Sequence, residues 1–113
     1  MRKLAVRYRP EAVADLEDVL RYIARASASA SIAEQYVRRI MDRCNRIGET
    51  PRAGRSRDDL RPGLRTVAFE RTVVIAYMVE ADAVRIVNVF YGGRDFEALY
   101  RGADSATETE SGD

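Results

Sequence analysis

The chain has 113 residues, 46% of them hydrophobic and 33% charged, which suits one globular domain with a single core. No apolar run approaches the ~20 residues of a membrane span, no signal core follows Met1-Arg2-Lys3, and a lone cysteine, Cys44, excludes an internal disulfide, so the expected location is the cytoplasm. Histidine, the commonest general acid/base, is absent, and the net charge of +1 hides an acidic end: Asp104, Glu108, Glu110 and Asp113 leave the preceding body at +5, almost all of it arginine, with Lys3 the one lysine.

Lys3 to Tyr8 alternates, with Leu4, Val6 and Tyr8 on one side and Lys3, Ala5 and Arg7 on the other, the pattern of a short edge strand. Pro10 suits a first helical turn and Glu11 complements its N-terminus. Ala12, Leu16, Val19, Leu20 and Ile23, with Val13 beside them, then form a stripe that predicts a helix over about 10–26. Small residues from Ala26 to Ser31 make a link. Ser31-Ile-Ala-Glu34 fits a capping box opening a second helix, with a stripe of Ala33, Tyr36, Val37, Ile40, Met41, Cys44 and Ile47. Gly48 is its expected C-terminal cap, and Thr50-Pro51 blocks continuation. So short a link predicts an antiparallel helix hairpin, with Cys44 in the core rather than acting as a nucleophile.

Residues 49–63 read as a polar connector holding Arg52, Arg55, Arg57 and Arg61 against Asp58 and Asp59; a phosphate-facing loop is the alternative. Three runs rich in β-branched and aromatic residues follow between Leu64 and Asp95, separated by Glu70-Arg71 and by Glu80-Ala81-Asp82-Ala83. Links so short cannot carry a parallel crossover, so the runs predict an antiparallel meander. The middle run is apolar on both faces: Val73, Ile75, Tyr77 and Val79 on one, Val74, Ala76 and Met78 on the other. The helix hairpin covers one face only, which leaves the second for a partner. A last short turn is expected around Arg94-Asp95-Phe96 and Leu99-Tyr100, and the acidic tail 102–113 is expected to be disordered. The predicted fold is α+β: an N-terminal strand, an antiparallel helix hairpin and a three-stranded meander completing one sheet, in a single domain over 1–101.

The chain carries no glycine-rich phosphate loop, metal-ligand cluster or Ser-His or Cys-His pair, and no cofactor or metal is expected. What remains is Arg65, Arg85, Tyr91 and Arg94. Alternation puts Arg85 and Tyr91 on one face of the last strand, with Val87 and Val89 between them and Arg65 alongside if register permits. Such a group could hold a phosphodiester, with Tyr91 a poor base at neutral pH. The structural alternative, which the residue types favour, is an Arg94–Asp95 ion pair closing the sheet and Tyr91 as a half-buried aromatic. The residues expected to meet a partner are Leu16, Leu20, Tyr36 and Ile40 on the helices and Val74, Ala76, Met78, Val87 and Val89 on the sheet.

With this order of elements the chain resembles the ParE toxins of the ParE/RelE superfamily. The residues that carry the likeness are Tyr8-x-Pro10-Glu11-Ala12-x-x-Asp15-Leu16 running on to Tyr22-Ile23, then Ala33-x-x-Tyr36 and Ile40, Pro51-x-x-Gly54, and Leu60-Arg61-Pro62-Gly63-Leu64-Arg65. Val74-Ile75-x-Tyr77, Val84-x-Ile86 and Gly93-Arg94-Asp95 complete it, so that it spans residues 3 to about 96. The resemblance implies the RelE-like fold, a ParD-type antitoxin wrapping the toxin in a hetero-oligomer of heterotetramer size or larger, and growth arrest through DNA gyrase by binding rather than catalysis. Sequence-specific DNA binding by this chain alone is not expected. RelE-type relatives share the fold but cleave mRNA on the ribosome with basic residues plus a tyrosine, histidine or glutamate. That is the alternative function, with Arg65, Arg85, Tyr91 and Arg94 as its candidates. A decayed toxin or pure binding module is the third reading.

Overall fold

The computed structural model describes residues 3–92 and 96–101. Strand β1 (Ala5–Tyr8) leads into helices α1 (Pro10–Ser27) and α2 (Ala30–Ile47), followed by a two-residue strand β2 (Arg55–Ser56), β3 (Leu64–Phe69), β4 (Val73–Val79), β5 (Ala83–Tyr91) and a last helical turn, α3 (96–101). The sheet order is β1-β5-β4-β3-β2. The meander is antiparallel as its short links require, and β1 does lie at an edge. It pairs in parallel with β5, however, so the sheet is mixed rather than wholly antiparallel. Among the described residues no helix is long and apolar enough to cross a membrane.

The helices form where the stripes place them. Pro10 occupies the first turn of α1, and Ala12, Leu16 and Val19 are buried. The hairpin turns on two residues, Ala28 in the left-handed region and Ser29 as the cap of α2, whose hydroxyl accepts from the Ile32 amide. The expected capping box at Ser31 is therefore displaced by two residues: a serine at either position can cap, and the helix takes the earlier one, gaining a further half turn. Gly48 ends α2 as expected but in the right-handed region. It is needed for space rather than for φ: the Leu4 amide donates to the Gly48 carbonyl at 2.9 Å, and a Cβ on Gly48 would collide with the Leu4 carbonyl oxygen.

One face of the sheet packs on the hairpin. Ile40, Ile75, Tyr77, Val84 and Ile86 are 0% exposed there, and each buried aliphatic of this kind contributes about 1.5–3 kcal/mol. Cys44 is in the same core, as its place on the stripe predicts. The other face carries a second cluster of Leu60, Leu64, Ala76, Val87 and Phe90, against which Val74, Met78, Phe96 and Tyr100 pack. The cover expected from a partner is thus supplied in part by the chain itself. Phe96 stacks on Phe90 with centroids 5.7 Å apart, and the Tyr100 hydroxyl donates to Asn88 at 2.9 Å. Leu60 comes from the connector 49–63, so that segment is structural as well as solvated.

A bulge sets the geometry of β5. Ala76 pairs with Asn88 while Tyr77 pairs with Ile86, which leaves Val87 as an extra residue. Beyond it the alternation inverts. Val84, Ile86, Val89 and Tyr91 all join the helix-side core, while Val87 and Phe90 face away. The β3–β4 link holds two non-glycine residues at positive φ, Glu70 (48°) and Arg71 (63°). Arg39 of α2 holds Glu70 with two hydrogen bonds, at 3.0 and 3.2 Å.

Candidate functional site

The bulge decides the fate of the arginine–tyrosine group. Arg85 lies opposite Met78 on the outer face, whereas Tyr91 belongs to the helix-side cluster, so the expected shared face is not formed. Arg65 is on Tyr91's side of the sheet but opposite Tyr77, while Tyr91 is opposite Val73. Four residues of strand separate those positions, about 13 Å. Each side chain is also engaged locally. Arg65 donates to the carbonyls of Arg52 and Gly54 at 3.0 and 2.8 Å, and Arg85 holds Glu80 through two bonds at 2.8 and 3.0 Å. Tyr91 sits between Tyr22 and Tyr36, with centroids 5.5 and 5.8 Å away. Burial and its tyrosine neighbours raise the Tyr91 pKa, the wrong direction for a base at neutral pH. Arg94 and Asp95, the expected ion pair, lie outside the described residues, as does the tail 102–113.

The residues expected from sequence to meet a partner divide by burial. Leu16, Ile40, Ala76, Val87 and Val89 are core residues. Leu20, Tyr36, Val74 and Met78 keep accessible surface. What the stripes did not separate is that both helices carry apolar residues beyond the buried line, Val13 at 44% and Met41 at 39% exposed. They flank a shallow groove of about 210 Å³ between the helices, lined also by Tyr8, Leu16, Leu20 and Val37. It continues into a more polar hollow of about 390 Å³ with Glu34, Arg38, Asp42 and Asn45.

Where the hairpin meets the start of β4 and the end of β5 the surface is aromatic. Tyr22, 58% exposed, Tyr36 and Tyr91 cluster there, with the Tyr36 hydroxyl bonded to Thr72 at 2.8 Å. From sequence, Tyr36 is expected to meet a partner and Tyr91 to accompany the arginines, while Tyr22 has a part only in the family resemblance. Its signal was present: a large aromatic at a position off the apolar stripe of α1. No group of three or more His, Cys, Asp or Glu side chains able to hold a metal occurs among the described residues.

A family model described as "ParE toxin of type II toxin-antitoxin system, parDE" matches residues 6–96. The chain belongs to the ParE toxin family. The match takes in β1 from Val6, the helix hairpin and β2 to β5, so the ParE resemblance rests on most of the chain and not on a local motif. Among solved structures, "Chromosomal ParDE TA system from P. aeruginosa" is similar in fold: TM-score 0.68 at 19% identity, over 80% of this chain and 97% of that one. No curated protein matches the ParE chain in sequence.

Proposed function

We propose that this ParE-family toxin arrests growth by binding DNA gyrase and is neutralised by a ParD-type antitoxin. The observation that carries the reading is the family match over residues 6–96. A ParDE system among the structural neighbours supports an antitoxin partner. The groove between α1 and α2 suits an amphipathic helix, with Val13, Leu20, Val37 and Met41 as its apolar contacts. What supports binding over phosphodiester chemistry is the separation of Arg65, Arg85 and Tyr91, each already engaged elsewhere.

The test is a gyrase supercoiling assay with antitoxin-free protein, a no-ATP control and a readout for cleaved DNA. Inhibition with trapped cleaved DNA, reversed by the antitoxin, is the expected result. No effect at large molar excess over gyrase, with folding confirmed, would sink the gyrase target and make mRNA cleavage on the ribosome the next assay. Antitoxin binding should show a large negative heat-capacity change in calorimetry, because a disordered tail folds onto apolar surface.

A further inference from the structure

Twice on this surface an arginine lies against an aromatic ring while carboxylates complete its fork. The Arg39 guanidinium is 5.0 Å from the Tyr36 ring centre and doubly bonded to Glu70. That of Arg57 is 5.8 Å from the Phe96 ring centre and paired with Asp59 and Glu97 at 2.8 and 2.6 Å. A third place has the same ingredients without a lining arginine among the described residues. It is a cavity of about 310 Å³ lined by Asp15, Asp18, Val19, Tyr22, Val89, Tyr91 and Gly92.

We propose that this cavity receives an arginine side chain presented by an extended segment of a protein partner. The volume is at the lower limit of small-molecule sites, about 300 Å³, and suits a single side chain better than a cofactor. Tyr22 and Tyr91, tilted at 54°, offer ring faces for a planar cation, and Val19 and Val89 offer apolar surface for its stem. Asp15 is held in place by the Val89 amide at 2.9 Å and the Asn88 side chain at 3.0 Å. Asp18 stands at the mouth, where Arg21 from the same helix meets it in an exposed pair. A flat forked cation uses rings and carboxylates together; an ammonium uses them less well.

The neighbouring backbone favours a peptide as the source. β1 pairs with β5 only as far as Tyr8 opposite Ile86, and beyond that point α1 meets the edge through Asp15, which takes the Val89 amide, so among the described residues β5 runs on to Tyr91 with no strand on that side. A Cβ built on Gly92, at φ 81°, would meet no atom of the described residues within 4 Å. An extended segment could therefore lie beside Tyr91 and Gly92, past the occupied Val89 amide, and turn one side chain into the cavity. The proposal goes beyond the toxin reading and does not depend on which macromolecule is the target.

The experiment is an NMR titration of the isotopically labelled full chain at low salt. The probes are acetyl-Gly-Arg-Gly-amide, its citrulline and lysine counterparts, and free arginine amide. The arginine peptide is expected to shift the Tyr22 and Tyr91 rings and the Val89 and Gly92 amides, and to bind at least about fivefold more tightly than the citrulline peptide. Tyr22→Leu and Asp18→Asn should each weaken it about twofold to fivefold, while Tyr22→Phe, which keeps the ring, retains binding. Both positions are exposed, so a spectrum otherwise like the parent's is expected for each variant. Equal binding by citrulline, shifts confined to another surface, or unchanged affinity in Tyr22→Leu would overturn the proposal. Free arginine amide binding as tightly as the peptide would overturn the peptide source. Tighter binding by an Arg94→Gln variant would assign the cavity to the chain's own arginine, which also overturns it.

Discussion

Tyr77 shows how much one side chain can organise. It is 0% exposed, and its hydroxyl donates to the Pro51 carbonyl at 2.8 Å and accepts from the Gly54 amide at 3.0 Å. It thereby ties the connector after α2 to the middle of the sheet. Burial raises its pKa, with the Gly54 amide and the nearby Arg65 and Arg43 pulling the other way, so it remains a neutral phenol at physiological pH. Tyr77→Phe strands a buried amide and a partly buried carbonyl, and should cost about 1–3 kcal/mol in urea denaturation. A change within 0.3 kcal/mol, roughly the noise of such mutant comparisons, would show that water replaces the hydroxyl. Gly54 belongs to the same arrangement, because a Cβ there would run into the Tyr77 hydroxyl.

Among the elements, α3 depends most on contacts from elsewhere. Six residues are too few to hold a helix in water by themselves. Its anchors are Phe96 and Tyr100 on Phe90 and the ion pair from Glu97 to Arg57, a side chain only 8% exposed. Arg57 also holds Asp59, and these two carboxylates raise its pKa further above the ordinary arginine value. Arg57→Gln removes the charge that joins the connector to α3. Amide hydrogen exchange over 96–101 should accelerate while β4 stays protected. Unchanged protection would mean that the ring contacts alone keep α3 in place. The reading of α3 as a last short turn was close, but its role as cover for the outer face was not legible. Nothing in the spacing of Phe96 and Tyr100 says which sheet face they will meet.

For the whole molecule, the pH response follows from its buried acids. Burial pushes the Cys44 thiol up to about 11 and the Tyr100 phenol up to about 12, and it raises Tyr8 as well. In the unfolded chain these groups lose their protons first, so above their ordinary pKa values the folded state holds more protons than the unfolded one. Stability therefore falls as pH rises from the ordinary thiol value towards about 11. Urea midpoints measured across that alkaline range should decline, and Cys44→Ser or Cys44→Ala should make the early part of the decline shallower. A flat midpoint up to pH 11 would refute the assignment. At the acid end, Arg57 lowers the Asp59 pKa and Arg85 lowers that of Glu80. Those contributions are present above the ordinary carboxylate range and are lost as pH falls through the depressed values.

The sequence by itself determined the two helices, the three strands of the meander, the edge position of β1 and the family, because each rests on local periodicity, on short links or on residues spread in order along the chain. The cap of α2 was misplaced by two residues because Ser29 and Ser31 are chemically equivalent at that distance from the stripe. Which residues share a surface was decided only in three dimensions. Val87 carries no mark in sequence that it is an extra residue, yet its bulge inverts the alternation and sends Arg85 and Tyr91 to opposite faces. The pairing of β1 with β5 and the meeting of Tyr22, Tyr36 and Tyr91 likewise join segments far apart in the chain. Periodicity reports which way a side chain points relative to its neighbours in sequence. It carries no information about which distant strand or helix will lie on that side, and the tertiary packing supplies that.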